Sequence, residues 1–139
     1  MLKIGIFGAG HLGKIHIQQW KEILGIELIG FYDPSDENAA MTIAQYQVPR
    51  YESIDALINA VDAVDIVAPT TNHFEIAKTC LLNGKHVFIE KPLAHTLEEA
   101  KELVKLVNEA NVKCQVGHVE RYNPALLALG DQPLQPMFI

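Results

Sequence analysis

Cysteine and serine are scarce in this chain, basic residues are outnumbered, and no long apolar run occurs. Only Cys80 and Cys114 are present among 139 residues. Both fall in apolar stretches that read as a helix and a strand, so they are expected to be small buried hydrophobes in a reducing compartment. They do not have zinc-site spacing. The two serines, Ser35 and Ser53, sit where helices should begin, which argues against a serine nucleophile. Eleven Lys and Arg face 17 Asp and Glu, for a net charge of −6. The basic residues are scattered, which argues against a nucleic-acid partner. No apolar run approaches the ~20 residues that span a bilayer. The apolar N-terminus is short and runs into glycines instead of a cleavage site. The expected location is the cytoplasm, with no membrane partner. Of the six histidines, His11 and His16 are five apart, about 140° around a helix, and the rest lie in separate elements. No metal site is expected.

What is present is ordinary for a globular domain: 49% apolar and 20% charged residues. A chain of this length suits one domain and needs no disulfides to fold. Strands and helices alternate. Leu2–Phe7 reads as a buried strand bounded by Gly8, and a helical stripe follows from His11 to about Leu24, ended by Gly25. Glu27–Tyr32 is a second strand, and Ser35 or Asp36 caps a helix to about Tyr46. Val48–Tyr51 reads as a weak third strand and Ser53–Asn59 as a short helix. Ala63–Ala68 is a fourth strand, closed by Pro69. Asn72 is a candidate cap for a helix that stops at Asn83-Gly84. His86–Ile89 and Val112–Val116 are the last strands. Between them Thr96-Leu97-Glu98-Glu99 fits a capping box, and Leu97, Ala100, Leu103, Val104 and Val107 form one apolar stripe. The expected fold is α/β: a Rossmann-type, doubly wound parallel sheet covered on both faces. Residues 1–118 form this domain. Pro124, Pro133 and Pro136 break the pattern in 119–139, which reads as a linker and the first residues of a missing second domain. An end on Met137-Phe138-Ile139, an unpaired apolar run, is expected to be artificial or proteolytic.

Gly8-Ala9-Gly10-His11-Leu12-Gly13 is a G-x-G-x-x-G motif between a strand and a helix, with Asp33 twenty residues past Gly13 at the end of the next strand. Each part has a physical reason. Gly8 allows a tight turn, Gly10 lets a pyrophosphate approach the backbone, and Gly13 lets the helix pack closely on the strand. The helix N-terminus offers free N–H groups and partial positive charge. Asp33 can accept hydrogen bonds from an adenosine ribose. A carboxylate there repels a 2′-phosphate, and neither Pro34 nor Ser35 is an Arg that could bind one, so NAD is expected in preference to NADP. A methyltransferase also uses a glycine-rich first turn and an acid after the second strand, but does not need the third glycine.

Glu90-Lys91-Pro92 directly follows the fifth expected strand. Ligands of open parallel sheets sit at the carboxyl ends of the strands, which places Lys91 where a nicotinamide should lie. Pro92 restricts Lys91 to extended conformations and is a candidate for a cis bond.

Taken together, Gly8-x-Gly10-x-x-Gly13, Tyr32-Asp33-Pro34, Pro69-Thr70-x-x-His73, Gly84-Lys85-His86-Val87, Glu90-Lys91-Pro92 and Arg121-Tyr122-Asn123-Pro124 resemble the N-terminal domain of the Gfo/Idh/MocA oxidoreductases. The resemblance covers the whole chain. It implies that Lys91 contacts the nicotinamide ribose and a substrate hydroxyl as the catalytic residue, and that Glu90 supports the cofactor pocket. It also implies that Pro69, Thr70, Asn72 and His73 line the cleft after the fourth expected strand. Asn72 reads equally as a plain helix cap and His73 as a first-turn helix residue. Arg121 and Asn123 either reach the active site or form a hinge. Substrates of the family are mostly sugars, polyols and nucleotide sugars, and Val116–Pro124 is similar to the nucleotide-sugar branch. Family members carry a second α/β domain with substrate contacts, an Asp/His pair and the homo-oligomer interface, none of which is in this chain. The expected function is the cofactor domain of an NAD(P)-dependent sugar-type dehydrogenase, binding cofactor without turnover by itself. The alternatives are a non-catalytic NADH-sensing module and a complete small protein that pairs with a separate catalytic chain.

Overall fold

The structure is a computed structural model that describes residues 1–130. The apolar runs form five parallel strands in the order β2-β1-β3-β4-β5: β1 (Leu2–Phe7), β2 (Ile26–Tyr32), β3 (Ala63–Ile66), β4 (His86–Ile89) and β5 (Cys114–Val116). Helices α1 (His11–Glu22) and α2 (Asp36–Tyr46) pack on one face. Helices α3 (Ile54–Ala60), α4 (Thr70–Leu82) and α5 (Leu97–Ala110) pack on the other. Each strand alternates side chains between these faces. On β3, Val64 and Ile66 join the larger core with Leu57, Ile76, Cys80 and Leu81. Ile6 and Phe31 join the smaller one with Ile17 and Ala39.

The doubly wound parallel architecture agrees with the sequence reading. Local starts also agree: Ser35 accepts from Asn38 N, Ser53 from Ala56 N, and Thr96 with Glu99 forms the reciprocal capping box. Several details differ. Val48–Tyr51 is not a strand. Pro49 lacks a backbone donor, and the segment makes only a bridge beside Phe31, through Phe31 N to Pro49 O and Tyr51 N to Phe31 O. Gly30 permits this close approach, since a Cβ there would meet the Tyr51 ring and the Pro49 carbonyl. Asn72 is not the cap of α4: the helix begins at Thr70 with Pro69 at the N-cap. Strand β3 ends at Ile66 and β5 begins at Cys114. On α5 only part of the expected stripe is covered. Leu103 is buried, while Leu97 and Val104 are exposed, because α5 sits over the sheet's edge against α4. Past β5 the chain leaves the sheet through a 3₁₀ turn, Val119–Tyr122, and one helical turn, Pro124–Leu127. The Met137-Phe138-Ile139 strand and the prolines at 133 and 136 lie outside the described residues. Among the described residues no helix is long and apolar enough to cross a membrane.

Candidate active site

The chain order of the sheet reverses between β1 and β3. From β1 the chain passes through α1 to β2 on one side, and from β3 through α4 to β4 on the other. A crevice opens at such a switch point, at the carboxyl ends of the strands. Here it is a cavity of about 820 Å³. Gly8, Gly10, His11, Leu12 and Gly13 wall it from the first turn. Tyr32, Asp33, Pro34 and Ser35 wall it from the end of β2, and Val67 to Pro69 with Thr71 and Asn72 from the end of β3.

The three glycines play three different parts. Gly8 has φ +103°, and a Cβ there would press on the Val67 carbonyl and Ala68 nitrogen. A Cβ on Gly13 would collide with the Gly8 carbonyl. A Cβ on Gly10 would meet nothing within 4 Å, because that position faces the cleft. Ala9 is fully buried behind the turn, and its N–H donates to Asp33 Oδ2 at 2.6 Å. Asp33 Oδ1 accepts from Ser35 N at 2.8 Å. Asp33 is 6% exposed yet lines the cavity, so lone pairs of its carboxylate remain for a hydroxyl.

Helix ends carry unsatisfied N–H groups. Among the five helices α1 to α5, α2, α3 and α5 cap theirs with Ser35, Ser53 and Thr96. Helices α1 and α4 begin at Gly10 and Pro69 without a capping side chain or an acid in the first turn. Both begin at the same cavity. Its residues therefore fit a dinucleotide: open space at Gly10, uncapped amides on two sides, and an acid at the ribose end.

Other expected site residues lie elsewhere. Thr70 is half-buried and outside the cavity wall, where its neighbour Thr71 stands. His73 does not line the cleft, which corrects the sequence reading. It is 1% exposed, with Nδ1 2.9 Å from the Pro92 carbonyl and Nε2 2.8 Å from the Ala68 carbonyl. It braces the loop after β3 against the Glu90-Lys91-Pro92 corner, whose Lys91–Pro92 peptide is cis. Lys91 is exposed and lines a separate hollow of about 380 Å³ past the ends of β4 and β5, together with His118, Glu120 and Arg121. Asn123 caps the following helical turn, accepting from Ala125 N, and donates to Glu120.

Sequence reasoning missed a polar cluster beside this corner. Strand alternation turns Asp65 of β3 toward α1, where it is fully buried. Its Oδ2 accepts Trp20 Nε1 at 2.6 Å and lies 2.8 Å from His16 Nδ1, and its Oδ1 has no partner. His16 Nε2 lies 3.5 Å from Glu90 Oε1, and Glu90 Oε2 accepts Lys91 N at 3.1 Å. Gly117 packs against Glu90 and leaves no room for a side chain. Burial pulls the His16 pKa down, but the hydrogen bond to Asp65 and the charges of Asp65 and Glu90 outweigh it, so it is raised above the ordinary value. Two signals for the cluster were visible in the sequence: an acid inside an apolar strand, and His16 and Trp20 at i, i+4 on one helix.

The chain is 38% identical over 125 residues to UDP-N-acetylglucosamine 3-dehydrogenase of Acidithiobacillus ferrooxidans, spanning 90% of this chain and 39% of that protein. The solved structure of that enzyme superposes with TM-score 0.86 over 92% of this chain and 42% of the other. It is 32% identical to scyllo-inositol 2-dehydrogenase (NAD(+)) of Bacillus subtilis, over 89% of this chain and 37% of that enzyme. Biliverdin reductase of Synechocystis, solved with biliverdin and NADP+, superposes with TM-score 0.85 at 30% identity, over 92% of this chain and 41% of the other. The chain thus spans well under half the length of these relatives. Residues 2–118 match the family model described as oxidoreductase family, NAD-binding Rossmann fold, and the chain belongs to that family, the Gfo/Idh/MocA oxidoreductases.

Proposed function

We propose that the cleft between β1 and β3 grips the pyrophosphate of NAD(H), that Asp33 receives the adenosine ribose, and that Lys91 serves the reacting end. One observation carries this reading: the two uncapped helices of the five, α1 and α4, begin at a single cavity that also contains Asp33. Uncapped helix ends attract anions through free N–H groups and the helix dipole. Asp33 keeps a negative charge where NADP would carry a 2′-phosphate, which favours NAD. Arg50, the nearest cation to Asp33, is held by Asp36 at 2.7 Å and the Asp33 carbonyl at 2.9 Å.

When bound, the nicotinamide supplies hydride exchange at its C4. The chain's own part is to bind, orient and place charge. Lys91 and Arg121 share the second hollow, where two cations can hold and polarise the hydroxyl of a sugar, polyol or nucleotide sugar. A pure sensor of NADH needs no amine at that corner, so this pairing favours a dehydrogenase over a sensing module. In a protein of the relatives' length, a second domain walls the substrate and carries the homo-oligomer contacts. This chain alone is therefore expected to bind cofactor without turning over.

The test is a titration with NADH followed by cofactor fluorescence, then assays of polyols and nucleotide sugars with NAD. Binding without turnover is expected from this chain, and turnover when a second domain of the relatives' kind is joined to it. A folded chain that ignores NADH would overturn the proposal.

A further inference from the structure

We propose that His16 is a positioning residue for the Lys91 corner: as an imidazolium held between Asp65 and Glu90, it fixes the Glu90 carboxylate and, through it, the backbone of Lys91. The role rests on the cofactor reading above and goes beyond it.

The geometry leads to this role in steps. Asp65 is fully buried in the middle of β3, a position where an ionised carboxylate is costly unless paired. The Trp20 indole gives it a hydrogen bond but no charge. His16 is the ion-pair partner of both Asp65 and Glu90 among the described residues. Its two ring nitrogens both face carboxylate oxygens. A neutral imidazole has one N–H and satisfies one of them; only the doubly protonated ring turns an N–H and a positive charge toward both. The titratable groups facing it are Asp65 from β3 and Glu90 from the end of β4. The aromatic neighbours, Trp20 on its own helix and Phe88 on β4, are uncharged. Glu90 is held on three sides: by His16, by the Lys91 N–H and by the wall at Gly117. When the imidazole loses its proton, one of those three is lost, and it is the one that carries charge. A helix whose N-terminus meets the proposed pyrophosphate site thus also reports, one turn further along, on the protonation state beside the nicotinamide end.

The experiment uses this 139-residue chain and has two readouts. Imidazole nitrogen NMR follows the titration of His16 in the wild type, Glu90→Gln and Asp65→Asn. NADH fluorescence follows affinity across the same pH range in the wild type and His16→Gln. The His16 midpoint is expected above that of a free imidazole and lower in either carboxylate variant. Affinity is expected to fall about threefold as His16 deprotonates. By linkage, saturating NADH then raises its midpoint by about half a pH unit. In His16→Gln this pH step disappears. If that variant does not fold, loss of the step in Glu90→Gln serves the same purpose. A wild type that binds NADH equally across the titration, or a His16 midpoint unmoved by Glu90→Gln, overturns the positioning role while leaving the cofactor reading intact. A folded wild type that binds no NADH at any pH overturns both.

Discussion

The carboxylate of Asp33 and the backbone N–H of Ala9 meet at 2.6 Å, tying the end of β2 to the glycine turn after β1. One residue therefore supports the turn and presents an acid to the cleft. Asp33→Arg should weaken NAD binding by about 10- to 150-fold, the worth of charge-assisted hydrogen bonds of about 1.5–3 kcal/mol. The same change should improve NADP relative to NAD. Paired titrations with NADH and NADPH measure the ratio, and an unchanged ratio would remove Asp33 as the discriminating group.

Gly10 and Gly13 separate binding from stability. Gly10 sits at φ −68° with open space where a Cβ would go. Gly10→Leu should cost less than about 1 kcal/mol of stability yet abolish NADH binding, because its side chain fills the pyrophosphate's place. Gly13→Ala presses on the Gly8 carbonyl and should destabilise by about 1–3 kcal/mol. Thermal melts and fluorescence titrations of both variants give the comparison. Equal effects on melting would contradict it.

The same contrast shows what was legible in the sequence. The glycine spacing, the acid after β2 and the capping box at Thr96 are local, and the structure places each as read. Val48–Tyr51 has strand-like composition, but Pro49 and a single bridge beside Phe31 leave no ladder to join. Asn72 has cap chemistry, yet Pro69 already starts the helix one turn earlier. His73 carries a familiar motif position, and only the fold reveals that two carbonyls occupy its ring. The His16–Asp65 contact joins residues 49 apart, so no helical or strand period could display it.

Stability should fall as pH rises through the His16 titration. Its folded pKa is raised, so its contribution is present in full below about pH 6.5, the free imidazole value, and is lost as pH climbs through the folded value. Urea denaturation of the wild type at pH values on either side should show the decline, and His16→Gln should flatten it. A wild-type profile no steeper than that of His16→Gln would show that the ion pair does not form.

The cysteines should be poor nucleophiles. Cys80 is fully buried, and burial pushes its thiol up to about 12, partly offset by Lys85. Half-buried Cys114 is raised by the same cause. With an aromatic disulfide reagent near neutral pH, Cys80 should stay unmodified in the folded chain, Cys114 should react slowly, and both should react at once in denaturant. Rapid labelling of Cys80 in the folded state would contradict its burial.

In the proposed function, the free amides at the starts of α1 and α4 hold the dinucleotide. Backbone amide NMR during an NADH titration reads those groups one by one. The largest shifts are expected at Gly10, His11, Leu12 and Gly13, with a further one at Thr71. Saturable binding that shifts other amides and leaves these still would contradict the account.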